Sequence, residues 1–73
     1  MKELDLHGMF HHEVEDIVEN FVLLYARELP LRIITGYSDI MKSKVMEVLE
    51  RHNFGYDLPA HNGGEIIVLW DKG

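Results

Sequence analysis

The apolar pattern of this chain switches between two periods as it runs from residue 2 to residue 35, and that switch limits the fold more than any other feature. Leu4 and Leu6 alternate with Glu3, Asp5 and His7, as in a strand with one buried face, and Gly8 then lets the backbone turn. From His11 to about Glu28 the apolar residues Val14, Ile17, Val18, Phe21, Val22 and Tyr25 recur at steps of three and four, which predicts one helical stripe ended by Pro30. Leu31 to Thr35 returns to strand alternation. A strand, a helix and a second strand in this order predict a parallel pair joined by a right-handed crossover.

The second half repeats part of the theme. Gly36-Tyr37-Ser38 reads as a turn, with Ser38 or Asp39 as the helix cap, and Met41, Val45, Val48, Leu49 and His52 form the next stripe. Gly55 is expected to close that helix in a left-handed conformation. Tyr56 to Ala60 predicts a short third strand, an edge because it contains Pro59. Asn62-Gly63-Gly64 is a hairpin turn signal. Glu65 to Trp70 is apolar on both faces and predicts a central fourth strand. The expected architecture is α/β in the sense of a two-layer α+β sandwich, βαβαββ, with a four-stranded mixed sheet and both helices on one face. Strand four must place either Ile67 and Leu69, or Ile66, Val68 and Trp70, on the open face. That apolar face is a candidate for homodimerisation or for docking a protein partner.

With 73 residues the expectation is one domain, residues 1–73, and with no cysteine neither a disulfide nor a thiolate zinc site can staple it. No signal peptide or membrane-spanning run is visible, so a cytoplasmic protein without membrane contact is the default. Thirteen acidic residues against seven Lys and Arg argue against coating nucleic acid through bulk charge, while leaving room for local contacts.

Ligands in such sheets favour the carboxyl ends of the parallel strands, where His7-Gly8 and Thr35-Gly36-Tyr37-Ser38 are expected to meet. Lys42 and Lys44 fall within the first two turns of the second helix and would make a small anion-friendly spot, whereas Arg51 lies too far along it. An acid and a titratable base on one face, Asp5 and His7, suit proton transfer. The plainer readings are an ion pair between Asp5 and Arg32 and a turn histidine at position 7. His11, His12 and Glu13 invite a metal site with His7, but a solvated helix start accounts for them better, and no metal ligand set is assigned. His52 reads as a helix-end residue that complements the dipole, and His61 as a loop residue.

Leu4-Asp5-Leu6-His7-Gly8 matches, residue for residue, the Leu-Asp-Leu-His-Gly motif of the Smr (small MutS-related) domain family. Thr35-Gly36-Tyr37-Ser38 falls where that family has His-Gly-Lys-Gly or Thr-Gly-x-Gly, and Met41-Lys42 through Val45 to Leu49 follows its Leu-Arg-x-x-Val-x-x-x-Leu helix. Gly63-Gly64 before an apolar strand matches its closing segment. The chain thus resembles an Smr domain over nearly its whole length. The resemblance implies strand order 1-2-4-3, a fold like the C-terminal domain of translation initiation factor three, and nucleic-acid binding. In several members it also implies nicking of DNA or cleavage of RNA. By motif matching, Asp5 and His7 are the catalytic candidates. Gly8, Thr35, Gly36, Tyr37, Ser38, Lys42 and Lys44 are the candidates for contact with the nucleic acid, DNA or RNA. A divalent cation, Mg²⁺ or Mn²⁺, could assist through Asp5. Tyr37 and Ser38 replace the usual Lys-Gly, removing a charge and a glycine; Tyr37 could instead stack on a base. Two expectations follow. One is a domain that binds and nicks structured or branched nucleic acid. The other is a non-catalytic module that binds nucleic acid weakly or docks a protein through the open sheet face.

Overall fold

The computed structural model describes residues 1–61 and 63–72. Its elements follow in the order β1 (Lys2–Asp5), α1 (His11–Leu24), β2 (Leu31–Ile34), α2 (Asp39–Arg51), β3 (Phe54–Asp57) and β4 (Glu65–Asp71). The four strands form one sheet in the order β1-β2-β4-β3. β1 and β2 are parallel, with Leu4 opposite Ile33 and Asp5 opposite Ile34, and β4 runs antiparallel to both β2 and β3. Each parallel strand feeds a helix, so α1 and α2 both start at the carboxyl end of the β1–β2 pair. β3 runs the same way as β2 and also ends there, so the segment joining β3 to β4 shares that end of the sheet.

Apolar burial fixes both helices on one face. Val14, Val18, Phe21 and Val22 of α1 and Met41, Val45, Val48 and Leu49 of α2 bury against Leu6, Leu31, Ile33, Phe54, Ile66 and Val68. The predicted stripes are therefore core stripes, with Ile17 and Tyr25 at the edge of the core and His52 outside it. Among the described residues no helix is long and apolar enough to cross a membrane.

Several local expectations need correction. The α-helix that was expected to reach about Glu28 ends at Leu24, and a single 3-10 turn, Ala26–Glu28, completes the segment. Pro30 excludes helical backbone at Leu29, and the tighter turn brings Ala26 and Leu29 back against the core. The left-handed residue after α2 is Asn53, φ 60°, next to the capping His52; Gly55 lies inside β3 instead. Asn adopts this conformation readily, so the helix does not need a glycine. β3 starts at Phe54 and ends at Asp57, two residues before Pro59, since proline cannot extend the ladder. Asn62, the first residue of the expected hairpin turn, lies outside the described residues.

The two alternatives for β4 are both partly realised. Ile66 and Val68 bury against the helices, and Ile67 lies on the other side. Then Gly55 pairs with Trp70 while Tyr56 pairs with Val68, so Leu69 is an extra residue in β4. This bulge turns Trp70 onto the face away from the helices. Its ring covers Gly55, where a Cβ would stand only 2.2 Å from Trp70 Cε2. Leu69 and Trp70 remain 37% and 52% exposed there.

Candidate nucleic-acid interface

β1 and β2 deliver two loops to the same rim of the sheet. Beyond β1 the Leu6 amide still donates to the Ile34 carbonyl (2.8 Å), and the Met9 amide donates back to Leu6 (3.0 Å), closing the turn through Gly8 at φ 83°. The His7 amide donates to Asp5 Oδ1 (2.9 Å). Asp5 therefore shapes the turn that presents His7, with one of its carboxylate oxygens. The expected Asp5–Arg32 pair is absent. The parallel register sets Glu3 opposite Arg32, and Arg32 Nη1 bonds Glu3 Oε2 (3.1 Å). Arg32 Nε lies 3.2 Å from Glu65 Oε2, an ion pair out of hydrogen-bond alignment.

Beyond β2 the amides of Thr35 and Gly36 both donate to the Gly64 carbonyl, at 2.8 and 3.1 Å, which clips this loop to the start of β4. Thr35 is buried and its hydroxyl donates to the Gly36 carbonyl (2.8 Å), so its role is to hold the loop from inside. Gly36 takes φ 69°, and a Cβ there would stand 3.3 Å from His7 Cδ2. The imidazole thus lies against the bare Cα of Gly36. The two loops, far apart in sequence, touch at this point.

Tyr37 projects from the same loop and is 82% exposed. Ser38 caps α2, its Oγ accepting from the Met41 amide (3.1 Å). Lys42, one turn into the helix, brings Nζ to 5.9 Å from the Tyr37 ring centroid. Gly63 closes the cluster: a Cβ at that position would lie 3.5 Å from Tyr37 Cε1 and 3.7 Å from Lys42 Nζ. His7, Gly8, Thr35, Gly36, Tyr37, Ser38 and Lys42 therefore assemble at one rim. Lys44 reaches the other way, to Glu15 of α1 (3.9 Å), and Arg51 points to the same carboxylate (3.8 Å).

His12 and His52 have partners of their own. His12 lies 3.9 Å from Glu13 and stacks under Phe10, with ring centroids 5.9 Å apart. His52 Nε2 is 2.7 Å from Glu19 Oε2, tying α2 to α1; the sequence placed His52 at the helix end but hid this partner on the other helix. Among the described residues no three His, Cys, Asp or Glu side chains group to hold a metal ion. Asp5 would be the carboxylate closest in sequence to His7 that a divalent cation at the rim could use. Two contributors escaped the sequence reading. The sequence marks Gly63 as turn chemistry and as part of the closing Gly-Gly segment, but not as a neighbour of Tyr37 and Lys42. Phe10 has no place among the sequence candidates, though an aromatic off the apolar stripe at a helix start signals exposure.

One comparison with known proteins gives a match. A family model described as Smr domain matches residues 4–65, spanning both loops, both helices and the start of β4. The searches of curated proteins and of solved structures return no match. With the motif Leu4–Gly8 and the Gly36 loop lying side by side inside the matched span, the chain belongs to the Smr domain family, which is consistent with a nucleic-acid-binding module.

Proposed function

We propose that this domain binds nucleic acid at the rim where His7 meets Gly36, and that Asp5 and His7 make it an endonuclease that nicks structured or branched DNA or RNA. The observation that supports this reading is the seating of the His7 imidazole on the bare Cα of Gly36, with Lys42 and Tyr37 alongside. A phosphate there would have backbone on one side, an ammonium within reach and an exposed imidazole facing it. Imidazole is suited to take a proton from the attacking oxygen or to give one to the departing oxygen. Asp5 holds the turn that aims the ring, and its second oxygen is left to ligate Mg²⁺ or Mn²⁺. Such an ion would keep most of its waters and share the phosphate. A cytoplasmic site of action fits this reading.

The test is cleavage of labelled plasmid and of a folded RNA, with and without Mg²⁺ or Mn²⁺, by the wild-type, His7→Ala and Asp5→Asn proteins. Asparagine still accepts the His7 amide, so Asp5→Asn keeps the turn while removing the charge. Loss of His7 should slow cleavage by roughly 10² to 10⁴, the usual range for a removed acid or base. Cleavage that survives both substitutions overturns the assignment.

A second reading is a non-catalytic module, favoured by Asp5 already spending one oxygen on its turn and by Tyr37-Ser38 in place of Lys-Gly. In that reading the wild-type protein binds at the rim and cuts nothing. Its protein partner, or a second copy, would use the open face carrying Ile67, Leu69 and Trp70.

A further inference from the structure

The rim combines weak electrostatics with unusually generous aromatic exposure. The chain carries a net charge of −6, and Lys42 is the cation placed beside Tyr37 of the rim. A duplex binder draws most of its affinity from many phosphate contacts made by Lys and Arg.

Aromatic surface is what the rim does offer. Phe10, the residue capping the start of α1, is 71% exposed, and Tyr37, just before α2, is 82% exposed. Neither belongs to the core, and both are backed rather than loose. The Phe10 ring stacks on His12 with an interplanar angle of 28°, and Tyr37 is flanked by Gly63 and by the Lys42 ammonium. The two rings stand at the starts of two helices packed side by side, with the His7–Gly36 contact between the loops that carry them. The two rings come from different loops, so each is free to meet a different base of one strand.

Resting on the function proposed above, we infer that the rim selects unpaired nucleotides: Phe10 and Tyr37 each stack on an exposed base of a single strand, and the phosphate between those bases is set against His7. Stacking on aromatic rings tolerates any base and needs few charges, which suits an acidic protein. Branch points, loops and frayed ends are where structured nucleic acid exposes such bases. The preference for an unpaired stretch and the preference for structured or branched substrates are then the same property.

The experiment measures binding of a fluorescently labelled single-stranded oligonucleotide, its perfectly paired duplex, and the same strand with abasic linkers at successive positions. The proteins are wild-type, Phe10→Leu, Tyr37→Leu, Tyr37→Trp and Lys42→Ala. Both aromatics are exposed, so the leucine variants should melt like wild-type. The single strand should bind tighter than the duplex, each leucine substitution should weaken it about tenfold, and Tyr37→Trp should restore it. Abasic linkers should reproduce the loss, in two positions of the strand. Equal or tighter binding to the duplex, or leucine variants that bind like wild-type while Lys42→Ala weakens binding, overturns this inference and leaves the wider reading standing. Binding of neither form overturns both.

Discussion

Gly8 and Gly36 both hold left-handed backbone, at φ 83° and 69°, yet their surroundings differ. A Cβ on Gly8 would meet nothing within 4 Å, whereas one on Gly36 would press on His7 at 3.3 Å. Gly8→Ala should therefore show the conformational cost alone, about 1–2 kcal/mol. Gly36→Ala should show that cost and, in addition, displace the imidazole. Denaturant unfolding of the pair, with the His7 ring resonances followed by NMR, checks this. An unmoved His7 in Gly36→Ala would mean that the two loops are not in contact. A second test belongs to Tyr56, whose hydroxyl donates to Glu50 across the α2–β3 junction. That hydrogen bond first, then partial burial and the Glu50 charge, raise its pKa from the ordinary 10 to about 12. Across that window the unfolded chain has lost the phenolic proton while the folded chain keeps it. The folded state binds more protons there, so stability falls as pH climbs from about 10 to about 12; below pH 10 the contribution is complete. Tyr56→Phe should lose that part of the pH dependence, measured as the difference between the two unfolding profiles over this range.

The elements themselves were legible because their patterns are strong, and the errors fall where a local signal competed with a partner far along the chain. Val14, Val18 and Val22, and Val45, Val48 and Leu49, repeat cleanly, and each set proved to be a core stripe. Asp5 and His7 were correctly read as exposed at a strand end, but the ion pair with Arg32 depended on register, which alternation does not encode; the register gave Arg32 to Glu3. Gly55 was misassigned because a glycine after a helix looks like a closing residue. Its true reason is the Trp70 ring lying on it, fixed by a one-residue bulge in β4 that no pattern in residues 65–71 announces. The bulge yields its own prediction. In Gly55→Ala the new methyl group has no room, so the half-exposed Trp70 ring must leave the sheet face. Overpacking of this kind costs about 1–3 kcal/mol. Since Trp70 is the only tryptophan, its emission should shift to longer wavelength in the folded variant. Unchanged emission and unchanged stability would place the ring elsewhere.

At the scale of the whole molecule, charge and shape decide what kind of binding the rim can support. The acidic surface repels a polyanion at long range, and three of the seven Lys and Arg are already answered by carboxylates: Arg32 by Glu3 and Glu65, and Lys44 and Arg51 by Glu15. The family motif supplies the rim, and the rest of the chain restricts how it is used. Affinity carried by two aromatic rings and one ammonium should depend only weakly on salt. For a single strand each neutralised phosphate contributes about −0.7 to the slope of log K against log salt, so a total slope near −1 is expected rather than the −5 or steeper of a duplex-coating protein. Lys42→Ala should flatten the slope by about 0.7, since its ammonium flanks Tyr37 at the rim. Lys44→Ala should leave it unchanged, since that side chain is turned to Glu15. Titrations of the labelled strand between 50 and ~300 mM NaCl measure all three. A steep slope in the wild-type protein, or one that Lys44 sets as strongly as Lys42, would move the binding surface from the His7–Gly36 rim to the outer faces of the helices.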